Sequence, residues 1–125
     1  MPKNNIEAFQ ENREEQNQLV LKYAGKELKR FYNLDWQVYR DGTLPGRVKE
    51  LIGLVSSLVL RCDDCILYHL TQCSKAGISD EELEEALAIG VMVGGSITIP
   101  HLRKAFQAWE DLKRTKSPNK KEDSQ

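Results

Sequence analysis

Apolar residues recur at the spacing of an α-helix along most of the chain, and nothing in the sequence argues for a sheet. Residues 46–60 predict a helix with a wide apolar face, formed by Val48, Leu51, Ile52, Val55, Leu58 and Val59. A last helix is expected to begin near Pro100 and carries Leu102, Ala105, Phe106, Trp109 and Leu112. The chain is therefore expected to be all-α, a compact bundle of about five or six helices.

Two helix boundaries have strong signals. Residues 79–82, S-D-E-E, form a capping box, with Ser79 as the N-cap and Glu82 three residues later. Gly77 is well placed to end the preceding helix, expected over about 62–76, in the left-handed conformation. The helix that the capping box opens is expected to break at Gly94-Gly95-Ser96.

A long N-terminal helix is expected over about residues 5–32, although residues 10–18 contain no apolar side chain. Residues 33–46 hold a D-G turn and a proline, which predicts a connector with one short helical turn around Trp36. Residues 1–115 would then form a single helical domain. The apolar-free residues 116–125 are expected to be a disordered tail.

Composition excludes several classes of function. The chain has 125 residues, near the commonest size of one domain, and its net charge of −1 gives no basic surface for nucleic acid. The N-terminus lacks the apolar core of a signal peptide, and the longest apolar stretches are too short to span a bilayer, so no membrane partner is expected. Three clustered cysteines do not resemble the disulfide framework of a secreted domain, which predicts a cytoplasmic protein.

Residues 61–73, RCDDCILYHLTQC, contain all three cysteines and one of the two histidines. Cys62, Cys65, His69 and Cys73 share one face of a single helix. Cys62 and Cys73 would lie about 16 Å apart along its axis, too far for ligands of one zinc ion. Zinc is therefore disfavoured, and a metal site shared between subunits is the alternative that stays open. No metal and no bound cofactor are expected.

The C-x-x-C pair suits thiol chemistry better. Cys62 and Cys65 lie within the separation that a disulfide tolerates, in the first turn of a helix, where a thiolate is favoured. Asp63 and Asp64 oppose a further negative charge, whereas His69 is spaced to take the thiol proton directly or through one water. Packing of inert cysteines beside a structural histidine remains an alternative at this point.

Four blocks of sequence resemble the carboxymuconolactone decarboxylase-like superfamily, and within it the alkylhydroperoxidase-D-like branch. They are LPGRVKELI (44–52), RCDDCILYH (61–69), AGISDEELEEAL (76–87) and VGGS (93–96). The resemblance covers a core of about residues 44–112 and implies an all-helical fold that assembles as a homo-oligomer, a trimer or a hexamer.

The resemblance also implies a thiol peroxidase in which Glu50, Cys62, Cys65 and His69 form a proton relay. Cys65, deprotonated through His69, would attack a small hydroperoxide and become a sulfenic acid. Cys62, in contact with Glu50, would then resolve it to a disulfide. An external dithiol of lipoyl or thioredoxin type would reduce that disulfide.

Two other functions remain open. One is the decarboxylation that gives the superfamily its name, and the other is a non-catalytic helical oligomerisation or binding module. By pattern alone Glu50 is an acidic residue in the first turn of a helix, and His101 is expected to be solvated or to cap a helix. Cys73 and Tyr68 are expected to be packing residues, Tyr68 in the core or at a subunit interface.

Overall fold

The computed structural model of the protein describes residues 4–116. Six α-helices follow one another: α1 (Asn5–Tyr23), α2 (Lys26–Val38), α3 (Gly46–Leu60), α4 (Asp63–Lys75), α5 (Asp80–Gly94) and α6 (Ile99–Lys116), with a 3₁₀ turn at Ser96–Thr98. This part of the chain contains no strand, so the predicted all-α bundle is confirmed. Apart from Lys116, which ends α6, the predicted disordered tail lies outside the described residues.

The core lies between α3, α4, α5 and α6. Helix α3 packs against α4 and α5, α4 packs against α6, and α1 lies against α6. The side chains that are almost fully excluded from solvent include Leu54, Leu58, Ile66, Leu70, Leu83 and Leu87. Burying one such side chain stabilises the fold by about 1.5–3 kcal/mol, so this cluster holds α3, α4 and α5 together.

The buried face of α3 differs in part from the predicted one. Leu54 is completely buried, whereas Ile52, which the helical spacing predicts on the apolar face, is 51% exposed. Helix α3 carries apolar residues on most of its circumference, so spacing alone does not select the side that meets the core. Contacts with α4 and α5 select it.

The prediction of one N-terminal helix over residues 5–32 is wrong. Helix α1 ends at Tyr23, and α2 begins at Lys26 after Ala24 and Gly25, which are both extended. Helix α2 then continues to Val38, six residues into the predicted connector, because no helix-breaking residue occurs before the D-G turn at residues 41–42.

The predicted helix boundaries elsewhere are confirmed. In the capping box, Ser79 Oγ accepts the Glu82 N–H at 3.1 Å, and Glu82 Oε1 accepts the Ser79 N–H at 2.9 Å. Gly77 and Gly95 have φ of 78° and 82°, the left-handed region that glycine adopts without strain. Within residues 4–116, no helix has both the length and the apolarity needed to cross a membrane.

Candidate active site

The two motif cysteines lie at the start of α4. Arg61 ends α3 in the left-handed conformation, with φ of 59°, and the chain enters α4 two residues later. Cys62 is the N-cap of α4, and its Sγ accepts the Cys65 backbone N–H at 3.4 Å. Cys62 is half-buried and Cys65 is exposed, so Cys65 is the more accessible of the two thiols.

Both cysteines are free, and their side chains are in hydrogen-bond contact. That bond, partial burial and the negative charges that Cys62 and Asp64 can carry raise the pKa of Cys65 to about 11. The Cys65 thiol is therefore protonated at neutral pH in the reduced protein. A nearby base is required if it is to act as a nucleophile.

His69 lies one turn after Cys65 and is paired with a carboxylate from α3. Its Nδ1 is 2.8 Å from Glu50 Oε1, and the two side chains are only 10% and 13% exposed. In neutral His69, a proton on Nδ1 would be donated to the Glu50 carboxylate, which leaves Nε2 as the proton acceptor. The pair thus has the arrangement of a base that is oriented by a carboxylate.

Gly53, one turn after Glu50, makes room for the imidazole. A Cβ at this position would lie 2.7 Å from His69 Cε1, closer than side chains tolerate. A glycine inside a helix costs about 1 kcal/mol relative to alanine. The close packing of His69 on α3 is the structural reason for this glycine.

Two tyrosines flank the imidazole. Tyr39 Oη is 3.5 Å from His69 Nε2, and the two ring centroids are 5.2 Å apart. Tyr68 meets the His69 ring edge-on, also at 5.2 Å, and the Arg13 guanidinium lies 4.0 Å from the Tyr68 centroid. Burial raises the pKa of both tyrosines, so both hydroxyls keep their protons at neutral pH.

Cys65 and His69 open into the same cavity. It has a volume of about 220 Å³ and is lined by Arg13, Asp35, Asp64, Cys65, Tyr68 and His69. Helices α1, α2 and α4 all contribute to it, and its charged groups are one guanidinium and two carboxylates. The cavity is large enough for a small organic molecule beside the thiol.

The four residues predicted for the site thus form two contacting pairs, Cys62 with Cys65 and Glu50 with His69. Among residues 4–116, the hydrogen bond of the Glu50 carboxylate is to His69 and not to Cys62, with which the resemblance pairs it. The shared cavity connects the two pairs through Cys65 and His69.

Several other residues also have defined places. Cys73 is a core residue, as predicted, and burial raises its pKa to about 12. His101 is not simply solvated, because its Nδ1 is 2.7 Å from Asp63 Oδ1 in the first turn of α4. No group of three or more His, Cys, Asp and Glu side chains suited to a metal ion occurs among residues 4–116.

Sequence reasoning missed two neighbours of His69, and it did so for different reasons. Tyr68 has a signal, since it lies three residues after Cys65 on the motif helix, but that position is equally typical of a packing residue. Tyr39 has none, because it lies thirty residues before His69, in a segment expected to be a connector.

The model of the carboxymuconolactone decarboxylase family matches residues 26–111, more than half of the chain. The chain belongs to this family. The match begins at α2, so it includes the segment that holds Tyr39 as well as the cysteine motif.

Solved structures agree with this assignment. Two crystal structures of one protein from Thermotoga maritima are 54% and 52% identical to this chain, with TM-scores of 0.86 and 0.85. They cover 88% and 90% of this chain and are covered over 96% and 95% of their own length. A family member from Legionella pneumophila, solved in its apo form, is 25% identical, with a TM-score of 0.78 and coverage of 85% and 95%.

Two curated relatives are themselves uncharacterised. One, from Cupriavidus necator, is 37% identical over 58% of this chain, and the match spans 65% of its own length. The other, a protein of the cox locus of Paracoccus denitrificans, is 27% identical over 66% of this chain and 74% of its own. Neither relative assigns an activity.

Proposed function

We propose that the protein is a thiol-dependent peroxidase of the alkylhydroperoxidase-D-like branch, which reduces small hydroperoxides through a Cys62/Cys65 redox disulfide and a Glu50/His69 proton relay. One observation carries the proposal. An accessible thiol that is protonated at neutral pH shares a cavity with an imidazole whose other nitrogen is held by a buried carboxylate.

The reaction follows from this arrangement. His69 accepts the Cys65 proton, and the thiolate attacks the terminal oxygen of the hydroperoxide. The O–O bond breaks, an S–O bond forms, and the alkoxide takes a proton to leave as an alcohol, so Cys65 becomes a sulfenic acid. Cys62, already in contact with Cys65, attacks this sulfur. A disulfide and one water are the products.

An external dithiol completes the cycle. Its two thiols are oxidised to a disulfide while Cys62 and Cys65 return to the reduced form. A reductant of lipoyl or thioredoxin type is proposed for this step, in a cytoplasmic setting where such dithiols are kept reduced. The chain itself is proposed to need no bound cofactor.

A relative supports an antioxidant role. The Thermotoga maritima protein is described as a member of the carboxymuconolactone decarboxylase family for which an involvement in an antioxidative response has been suggested. At 52% identity over 90% of this chain, it is similar enough for a related role to be proposed here.

The trimer or hexamer also stays a proposal, and the surface of α2 supports it. None of the residues of α2 is buried, and Leu28, Phe31 and Trp36 are each more than half exposed. An amphipathic helix with an uncovered apolar face is typical of a surface that meets another subunit. A second copy of this chain is the proposed partner.

A thiol count after one equivalent of cumene hydroperoxide tests the proposal. The reduced protein should fall from three free thiols to one, with the new disulfide mapped to Cys62 and Cys65. Cys65→Ser should abolish peroxide consumption. Cys73→Ala is the matched control, because Cys73 is buried away from the cavity, and it should keep the activity.

Other outcomes would point to other functions. Three remaining thiols, or unchanged turnover by the Cys65→Ser variant, would overturn the peroxidase assignment. Turnover of a carboxylated lactone by a protein lacking both motif cysteines would favour the decarboxylation after which the family is named. Absence of both activities would favour a binding module.

A further inference from the structure

His69 has only one nitrogen free for proton exchange. Glu50 occupies Nδ1 at 2.8 Å, so a proton leaving Cys65 must reach Nε2. Among residues 4–116, the group within hydrogen-bond distance of Nε2 is the Tyr39 hydroxyl, at 3.5 Å, and not a cysteine. A contact of this length is common in a resting site whose hydrogen bonds tighten when substrate binds.

Tyr39 is held in place by the same turn of α3 that holds His69. The Lys49 ammonium donates hydrogen bonds to the carbonyl oxygens of Val38 and Arg40, at 2.8 and 2.7 Å, on either side of Tyr39. These carbonyls lie at the C-terminal end of α2, where a cation is favourable. Lys49 therefore fixes the backbone of Tyr39, and the adjacent Glu50 fixes the imidazole.

The charges around Tyr39 suit a proton donor. Its pKa is raised first by burial and then by negative charge at Asp35, Glu50, Tyr68 and Cys65. The hydroxyl therefore keeps its proton at neutral pH, and a negative charge on Cys65 would raise its pKa further. Tyr68 is a weaker candidate for this role. Its ring meets the His69 ring edge-on, and its hydroxyl makes no hydrogen bond to the imidazole.

We propose that Tyr39 relays the Cys65 proton to His69, and that its hydroxyl orients Nε2 as the acceptor. In the relay, the Tyr39 oxygen gains the Cys65 proton as its own proton passes to Nε2. Tyr39 ends neutral, Cys65 ends as a thiolate, and His69 becomes an imidazolium beside Glu50. This inference rests on the proposed function, in which Cys65 must be deprotonated.

Alkylation of Cys65 by iodoacetamide tests the relay without peroxide. The parent should carry Cys73→Ala, and the modified Cys65 peptide should be quantified by mass spectrometry from pH 5 to pH 11. Tyr39→Phe removes only the hydroxyl, and the rate at pH 7 should fall about tenfold, the value of one hydrogen bond to a reacting group. The two profiles should converge near pH 11, where Cys65 ionises unaided.

Two further variants make the test decisive. Tyr23→Phe, the control, removes the hydroxyl of a tyrosine that is 79% exposed at the end of α1, and should change the rate less than twofold. Lys49→Met releases the backbone of Tyr39 without altering its ring, and should also lower the rate at pH 7; it serves if Tyr39→Phe does not fold. Unchanged profiles in the Tyr39→Phe and Lys49→Met proteins, or an equal loss in Tyr23→Phe, would overturn the inference.

The alkylation profile also separates this inference from the peroxidase proposal. A parent protein that fails to consume peroxide would overturn the proposed function, yet its alkylation profile would still decide whether Tyr39 assists deprotonation of Cys65. Conversely, if the protein consumes peroxide and Tyr39→Phe leaves the alkylation profile unchanged, the proposed function stands and the relay through Tyr39 is excluded.

Discussion

Two histidine–carboxylate pairs flank the first turns of α4 and differ mainly in their surroundings. His69 Nδ1 lies 2.8 Å from Glu50, and His101 Nδ1 lies 2.7 Å from Asp63. The first pair is 10% and 13% exposed and opens through His69 into the cavity that holds Cys65. The second pair is 23% and 37% exposed, and its Asp63 carboxylate also contacts the Lys104 ammonium. The same contact therefore makes a candidate base in one place and a surface ion pair in the other.

The surface pair has a structural role. Asp63 begins α4, where a carboxylate is favoured by the helix dipole, and its partners His101 and Lys104 belong to α6. The pair thus joins the starts of two helices that pack together in the core. The roles of the two imidazoles therefore differ because His69 is buried beside the thiol cavity, whereas His101 is more exposed and its carboxylate partner also contacts Lys104.

Replacing each histidine in turn should produce the largest difference between the pairs. His69→Asn should lower the initial rate of hydroperoxide reduction by about 10²–10⁴-fold, the usual contribution of general acid–base catalysis. His101→Asn, the matched change, should keep the rate within about twofold of the parent. Equal effects of the two variants would show that His69 is not the base.

Crowding the buried pair should produce an intermediate effect. Gly53→Ala would place a methyl group within 2.7 Å of the His69 ring, and overpacking of this kind costs about 1–3 kcal/mol in the free energy of unfolding. Urea unfolding should show that loss, and the peroxide rate should fall with it as the imidazole moves.

Gly25→Ala is the control, because the nearest atom to a Cβ there is the end of the Glu27 side chain, at 3.9 Å. It should change the stability by less than about 1 kcal/mol and leave the rate unaltered. Full activity in the Gly53→Ala protein would mean that the close packing of His69 on α3 has no functional value.

Breaking the surface pair should produce the smallest effect. Asp63→Asn should cost about 0.5 kcal/mol in the free energy of unfolding and should not change the rate, since the pair is partly solvated. Burial opposes ionisation of Asp63, but hydrogen bonds from His101 and Lys104 outweigh it and lower its pKa.

A lowered pKa sets the sign of the pH dependence. The contribution of Asp63 to stability should be present above the ordinary aspartate pKa of about 4 and be lost as the pH falls through the lower folded value. Urea unfolding of the parent and the variant at pH 6 and at the lowest pH at which both remain folded measures this. A gap that widens in acid would contradict it.

Much of the architecture could be predicted because it depends on local physics. The capping box at Ser79 and the left-handed Gly77 follow from residues within one or two turns, and the structure confirms both. The C-x-x-C spacing likewise brings Cys62 and Cys65 together whatever the rest of the fold does. The spacing from Cys65 also points to His69, whereas the role of Glu50 follows only from the family resemblance, since nothing local joins Glu50 to His69.

Other features depend on which surfaces meet. Helix α3 is apolar on several sides, so only its contacts with α4 and α5 decide that Leu54 is buried and Ile52 exposed. The contact between Tyr39 and His69 requires Lys49 to hold the end of α2 against α3. The turn between these helices contains no sequence motif that would predict a functional site. Helix periods and caps depend on interactions between residues that are close in sequence, so the sequence alone determines them. A proton path depends on side chains from different helices, and only the packing of those helices brings them within reach of one imidazole.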